Sequence, residues 1–256
     1  MADFEILDHG RIRELRFNRP ESRNSLTFEM YQALQRLCDE IDPDTHCALV
    51  LTAEGEKAFA SGTDISNFKT FSSPQDAIEY EAMIGSVIDS VASCAVPVIA
   101  SLHGVVAGGG AAIAAASDIR IATPTTKFGM PIARTLGNCL SIANLKRLIE
   151  MLGESRVRYL MLTAQFIECD VLIQSGFVSE VVEDASACDD RARTLALGMA
   201  DLAPRTLQAT RIGLARLNEA SLPNDRDLIE SCYMSEDFQE GVSAFFEKRR
   251  AVWRGV

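Results

Sequence analysis

The 256-residue sequence has no block of Lys and Arg side chains, and acidic residues outnumber basic ones. Lys and Arg total 25 against 36 Asp and Glu, which gives a formal net charge of −11. Nucleic acids and anionic membranes are bound through basic surfaces, so we expect neither as a partner. Another polyanion is compatible with this composition, because a local cluster of cations can act against the net charge.

The sequence also lacks the marks of secretion, metal binding and membrane insertion. Its first ten residues have no basic or apolar signal region, so we expect a cytoplasmic protein. The seven cysteines form no C-x-x-C pair and no Cys/His ligand spacing, which predicts reduced core thiols and no metal site. Residues 91–117 are uncharged, but Pro97 and three consecutive glycines would break a membrane helix, so this stretch predicts buried core.

Strand and helix patterns alternate through most of the chain. The apolar runs at residues 47–52 (CALVLT) and 97–101 (PVIAS) are typical of strands covered on both faces. Thr27 and Ser73 are predicted helix N-caps, the second followed by Pro74 at the first helical position. The alternation predicts an α/β core with parallel strand pairing.

After about residue 184 the sequence shows helical patterns only. We therefore predict a core over residues 1–195 and a C-terminal helical region over residues 196–256. Because this region is too small to bury a core of its own, we expect it to pack on the core or on neighbouring subunits.

Two loops follow predicted strands and are rich in small residues. KAFASGTDI follows the first strand, and HGVVAGGG follows the second and opens a helix. Successive glycines at a helix start leave backbone N–H groups uncovered, where the helix dipole adds positive charge, and such donors stabilise a developing oxyanion. Close packing of the helix on the sheet is the alternative explanation, which the glycines alone favour. Neither loop matches a dinucleotide or P-loop motif.

The two loops are more specific in combination. ALVLTAEGEKAFASGTDISNF and VPVIASLHGVVAGGGAAIAAASDIRIAT resemble the enoyl-CoA hydratase/isomerase (crotonase) superfamily. The resemblance extends to NRPESRNSLT, FGMPIARTLGN and EGVSAFFEKRRAVW, and so covers nearly the whole chain. It implies a crotonase-like ββα-spiral core that binds acyl-CoA thioesters, assembled into a homotrimer or a dimer of trimers. No cofactor is implied beyond the CoA that the substrate carries.

The resemblance also implies roles for individual residues. The backbone N–H groups of Thr63 and Gly109 would form an oxyanion hole for the thioester oxygen. The C-terminal region would cover the CoA site, and the tail of a neighbouring subunit would supply an aromatic residue and a lysine to it. The CoA contacts implied in this way are Ser22, Arg23, Ala60, Asp64, Ile65, Phe245 and Lys248. The cations expected to offset the phosphates of CoA are Arg23, Lys57, Lys69 and Lys248.

The sequence departs from the family pattern at the two positions where hydratases have their catalytic acid and base. Hydratases of the family have one glutamate two residues after the glycine triplet and another after FGxP. This chain has Ala112 at the first position and Ile132 at the second, and Leu136-Gly137 is not followed by the glutamate of some isomerases. Addition of water to an enoyl thioester needs a group that activates water and an acid, and neither side chain can serve. We therefore expect a reaction that differs from simple enoyl-CoA hydration.

Other polar residues are candidates for moving a proton or attacking the thioester. Glu81 lies on the helix after the first loop, although a solvated helix face is the favoured interpretation of residues 79–81. Asn138 and Cys139 belong to the segment that walls the pocket in the family. By the resemblance, Cys139 lies where aryl-CoA dehalogenases have a nucleophilic aspartate, and a packed cysteine is the alternative.

The sequence therefore predicts an acyl-CoA-binding enzyme of the lyase or isomerase type that stabilises a thioester enolate. Double-bond isomerisation, thioester hydrolysis, decarboxylation and C–C cleavage all remain open as its reaction. A catalytically silent acyl-CoA binder is the alternative from another functional class.

Overall fold

The computed structural model describes residues 2–202, 204–216, 226, 230 and 233–252. In this part of the chain, strands form a six-stranded sheet with the order β1-β2-β3-β5-β7-β10 and a four-stranded sheet with the order β4-β6-β8-β9. The strands are β1 (Phe4–His9), β2 (Ile12–Phe17), β3 (Ala48–Ala53), β4 (Ala58–Ala60), β5 (Val98–Leu102), β6 (Val105–Ala107), β7 (Ile119–Ala122), β8 (Lys127–Gly129), β9 (Phe166–Glu168) and β10 (Glu180–Val181).

Helices follow or separate the strand pairs. They are α1 (Phe28–Glu40), α2 (Pro74–Ser93), α3 (Gly109–Ala116), α4 (Ile132–Thr135), α5 (Ile142–Leu152), α6 (Glu154–Thr163), α7 (Cys169–Gln174), α8 (Ala185–Gly198), α9 (Pro204–Arg216) and α10 (Glu236–Phe246). Both predicted N-caps are confirmed, since the Thr27 and Ser73 hydroxyls accept the backbone N–H groups of Met30 and Asp76.

The architecture is a spiral of repeated β-β-α units. β3, β5 and β7 lie side by side and parallel in the large sheet, and each is followed at once by a strand of the small sheet. Those strands, β4, β6 and β8, are again parallel. The first two units close with α2 and α3. The predicted α/β class and ββα-spiral core are therefore confirmed.

The main core lies between the sheets and the helices. The β3 strand is buried along its whole length, as the apolar run predicted. The cysteines predicted as core thiols are free and buried at Cys38, Cys47, Cys94, Cys169 and Cys188. None of the described helices is both long enough and apolar enough to span a membrane.

Helix α8 packs on the large sheet through β3, β5 and β7. The boundary that we predicted between residues 195 and 196 falls inside this helix. A buried ion pair ties the helix to β2, because Arg193 Nε donates to Glu14 Oε2 at 2.8 Å. Burial acts to raise the pKa of Glu14, but hydrogen bonds from Arg193 and Thr52 and nearby positive charge outweigh it and lower that pKa to about 2.

The last described helix, α10, packs on α4 and on the 3₁₀ helix Ile65–Thr70. Phe238 on this helix is fully buried, in a cluster with Phe68 and Tyr233. The tail therefore folds over the segment that follows the first small-residue loop. The part of the predicted C-terminal helical region between residues 217 and 232 lies mostly outside the described residues.

Candidate functional site

A cavity of about 1050 Å³ opens where the two predicted loops meet. Its walls come from the turn after β2, the loop after β4, helix α2, the loop after β6, and the segment from α4 to residue 140. Residues 245, 246 and 248 at the end of α10 close one side. A concave site of this size, with apolar walls and a few polar groups, is typical of small-molecule binding.

Two glycines let the loops touch. Gly62 and Gly108 both have positive φ, at 120° and 52°, and a Cβ on Gly108 would lie 3.1 Å from the Cα of Gly62. Thr63 and Gly109 come directly after these glycines and both line the cavity. Within the described residues, the structure gives neither backbone N–H a hydrogen-bond acceptor. Two uncovered donors therefore lie at one wall of the cavity.

Tyr31 explains why residue 109 has no side chain. A Cβ on Gly109 would lie 1.7 Å from Tyr31 Oη, which reaches this point from helix α1. The same hydroxyl lies 2.8 Å from Thr63 Oγ1, and Thr63 Oγ1 lies 2.9 Å from Tyr80 Oη. Burial raises the pKa of Tyr31 and that of Tyr80, so both phenols stay protonated at neutral pH.

The two positions that hold glutamates in hydratases of the family both face the cavity. Ala112, on the second turn of α3, and Ile132, at the start of α4, are both lining residues. The cavity wall is therefore apolar at both points, and neither side chain can accept or donate a proton.

Glu81 is a buried carboxylate on the cavity wall. Its exposed fraction is 8%, so the interpretation of this residue as part of a solvated helix face is wrong, although Glu79 is exposed as expected. Tyr233 Oη donates to Glu81 Oε1 at 2.5 Å, and Asn138 Nδ2 donates to Tyr233 Oη at 3.1 Å. Burial and the negative charge of Glu81 raise the pKa of Tyr233. The carboxylate is thus held in place by the C-terminal tail.

Most residues that the resemblance assigned to CoA contact line the cavity, and Ala60 does not. Ala60 is fully buried beneath α3, where a Cβ on Gly110 would lie 2.5 Å from the Cβ of Ala60. Asp64 also caps the 3₁₀ helix by accepting from the backbone N–H of Ser66, and it pairs with Arg19. The assigned residues that the structure places at the cavity are Ser22, Arg23, Asp64, Ile65, Phe245 and Lys248.

The tail residues differ from expectation in one respect. We expected a neighbouring subunit to supply Phe245 and Lys248, but both line the cavity of their own chain because α10 packs over it. Lys69 lies with its Nζ 3.4 Å from the ring centre of Phe246, and Lys57 is not a lining residue. Among the four expected cations, Arg23 and Lys248 are therefore those at the cavity surface.

The remaining candidate residues belong to the segment that the resemblance places at the wall of the pocket. Asn138 and Cys139 both line the cavity, and Cys139 is half-buried. His103, in the HGVVAGGG loop, is buried and is not among the described lining residues, and burial lowers its pKa. Sequence reasoning missed Tyr31 and Tyr233, since each is an ordinary tyrosine in a helical pattern.

Comparison with known proteins connects this geometry to a family. The sequence model of the family described as enoyl-CoA hydratase/isomerase matches residues 8–256. The short-chain-enoyl-CoA hydratase of Clostridium acetobutylicum is 29% identical over 246 residues, which cover 94% of this chain and 93% of that protein.

Solved structures share the fold. An enoyl-CoA hydratase/carnitine racemase from Magnetospirillum magneticum is 28% identical with a TM-score of 0.79, covering 100% of this chain and 97% of that one. Methylmalonyl-CoA decarboxylase in complex with 2-nitronate-propionyl-CoA has a TM-score of 0.89 at 24% identity, covering 100% of this chain and 99% of that one. At this identity the likeness shows a shared fold alone.

Proposed function

Because the chain belongs to the enoyl-CoA hydratase/isomerase family, we propose that it holds the carbonyl oxygen of an acyl-CoA thioester between the backbone N–H groups of Thr63 and Gly109 and stabilises the enolate of that thioester. The observation that carries this proposal is the contact of the Gly62 and Gly108 loops, which brings two uncovered N–H donors to one cavity wall. Donors fixed in advance stabilise charge that develops in the transition state.

The described part of the cavity wall offers the reaction one buried carboxylate. Ala112 and Ile132 supply none, and Glu81 is the buried acidic residue among the described lining residues. We therefore assign to Glu81 the task of carrying a proton, with Tyr233 holding its orientation. Double-bond isomerisation uses one such group, and loss of carbon dioxide produces an enolate without removal of a proton. Either reaction is compatible with this cavity.

The proposal is tested with a stable anion that imitates the enolate. In 2-nitronate-propionyl-CoA the α-carbon is planar and the negative charge is delocalised over the nitro and thioester oxygens, whereas propionyl-CoA has neither the nitro group nor the charge. We expect the nitronate to bind at least about 100-fold more tightly than propionyl-CoA in calorimetric titration, because an oxyanion hole favours the anion. Equal affinities would contradict enolate stabilisation, and absence of binding by both ligands would contradict an acyl-CoA site.

The assignment of Glu81 is tested by a matched pair of variants. A panel of 2-enoyl-, 3-enoyl-, malonyl- and β-ketoacyl-CoA thioesters first identifies a substrate. Glu81→Gln should then lower kcat about 10²-fold with a smaller change in KM, as expected for loss of a proton carrier. Glu79→Gln, on the exposed side of the same helix, should leave kcat unchanged. Equal effects of the two substitutions would contradict the assignment.

A catalytically silent acyl-CoA binder is the second candidate, and the apolar residues at positions 112 and 132 favour it. The thioester panel would identify the protein as such a binder if thioesters bind and none of them is turned over. Assembly into a trimer or a dimer of trimers and a cytoplasmic location stay predictions.

A further inference from the structure

The side chain of Thr63 has no part in an oxyanion hole made of backbone groups, yet two tyrosines converge on it. Its Oγ1 lies 2.8 Å from Tyr31 Oη and 2.9 Å from Tyr80 Oη. Tyr31 reaches it from α1 and Tyr80 from α2, so two separate helices place their hydroxyls on one threonine. The backbone N–H of the same residue is one of the two uncovered donors at the cavity.

The directions of the two hydrogen bonds follow from the chemistry of the three hydroxyls. Tyr31 is 1% exposed, and Thr63 is the partner that the structure gives to its hydroxyl within the described residues. If Tyr31 accepted, its own buried proton would have no acceptor, so we assign Tyr31 as the donor to Thr63. Tyr80 also lines the cavity, and we assign it the donor role toward Thr63 because a phenol is a stronger acid than an alcohol. A hydroxyl oxygen has two lone pairs and one proton. Both lone pairs of Thr63 Oγ1 are then occupied.

The proton of the Thr63 hydroxyl therefore needs an acceptor other than the tyrosines. Thr63 lines the cavity, while Tyr31 and the chain behind it fill the buried side. The ring of Tyr80 is held by edge-on packing against Phe68, with ring centres 4.8 Å apart, so this donor is fixed in place. The arrangement directs the Thr63 proton to the side where its own N–H is open.

We propose that Thr63 binds the enolate oxygen with two groups, its backbone N–H and its side-chain hydroxyl, and that Tyr31 and Tyr80 are positioning residues that orient this hydroxyl. The inference rests on the proposed function, since it needs an acyl-CoA enolate in the cavity. Two phenol donors polarise the Thr63 O–H bond, and a hydrogen bond to an anion is stronger than one to a neutral carbonyl. The hydroxyl should therefore favour the enolate over the ground-state thioester.

The test compares two substitutions that differ in the hydroxyl. Thr63→Val keeps the branched shape and the backbone N–H, and Thr63→Ser keeps the hydroxyl. Calorimetry gives the dissociation constants of 2-nitronate-propionyl-CoA and propionyl-CoA for each protein. We expect Thr63→Val to reduce the preference for the nitronate about 10- to 100-fold, with propionyl-CoA affinity changed by less than about threefold. Thr63→Ser should retain most of the preference.

Loss of stability is separated from loss of the donor by a second background. Thr63→Val leaves two buried phenols without an acceptor, whereas the Tyr31→Phe/Tyr80→Phe double variant removes both phenols. The double variant should lower nitronate affinity much more than propionyl-CoA affinity, as expected for residues that position the Thr63 hydroxyl, although Tyr80 also lines the cavity. Adding Thr63→Val to it should lower the preference further. Thr194→Val, at an exposed threonine on α8 that donates to Asp190 O, is the control without effect.

The outcomes distinguish this inference from the function on which it rests. A wild-type protein without preference for the nitronate contradicts the enolate-stabilising function itself. A wild-type protein with that preference, unchanged by Thr63→Val in both backgrounds, overturns the role of the hydroxyl. An equal loss of affinity for both ligands in Thr63→Val also overturns it, because a structural effect would act on both.

Discussion

Crotonyl-CoA should be hydrated by this protein at least about 10⁴-fold more slowly than by a hydratase that has both glutamates. Positioned acids and bases each contribute about 10²- to 10⁴-fold, and the cavity has Ala112 and Ile132 where those groups would be. The rate is measured by loss of the conjugated enoyl absorbance. An enoyl-CoA hydratase whose sequence has both glutamates, assayed in parallel, provides the reference.

The complementary experiment introduces a glutamate at each of the two positions. Because residues 112 and 132 both face the cavity, the Ala112→Glu/Ile132→Glu double variant places two carboxylates at its wall, and we expect it to hydrate crotonyl-CoA faster than the wild type. Circular dichroism checks that the double variant folds, since Ala112 is 4% exposed and the new charge lies in a confined space. Wild-type turnover at the reference rate would contradict the expectation that these two positions decide the reaction.

The order of strands, glycine loops and helices is readable in the sequence because each feature is local. A buried strand is a short apolar run, and a helix start is a capping hydroxyl such as Thr27 or Ser73. Thr63 and Gly109 are recognisable for the same reason, since each belongs to a motif of a few consecutive residues. The ββα spiral itself follows from the resemblance rather than from periodicity.

The contacts that shape the site join residues far apart in the chain. Tyr31 and Thr63 are 32 positions apart, and Tyr233 and Glu81 are 152 apart. A tyrosine in an amphipathic helix looks like ordinary core, and a glutamate looks like surface, until the tail is known to cover it. The own-chain position of Phe245 depends in the same way on how α10 packs against α4.

Ala60 shows a different limit of a motif. It is the last residue of β4, and the next residue along the chain, Ser61, lines the cavity. The Ala60 side chain lies beneath α3, where it occupies the space that a Cβ at position 110 would need. A motif assigned residue by residue therefore identifies the loop without showing which of its side chains reach the cavity.

Gly109→Ala should lower the affinity for 2-nitronate-propionyl-CoA, or the turnover of an identified substrate, about 10³-fold. The added Cβ would lie 1.7 Å from Tyr31 Oη, so either the start of α3 or Tyr31 must move. Tyr31 is hydrogen-bonded to Thr63, so a shift of the tyrosine displaces the second donor as well. Loss of a single oxyanion donor costs about 10²- to 10³-fold, and this substitution disturbs both. Calorimetry of the nitronate and thermal unfolding measure the two consequences.

Two further variants test whether the steric clash between a side chain at position 109 and Tyr31 causes the loss of affinity. Adding Tyr31→Phe to Gly109→Ala removes the hydroxyl and leaves the Tyr31 Cζ position at 2.9 Å as the nearest atom, so part of the lost stability should return. Gly85→Ala is the matched control, because a Cβ there meets no atom within 4 Å in the middle of α2. It should leave nitronate binding unchanged and raise stability by about 0.5–1 kcal/mol. Wild-type affinity in Gly109→Ala would show that the first turn of α3 can shift without loss of the donors. That result would contradict an oxyanion hole whose geometry is fixed by the contact between residue 109 and Tyr31.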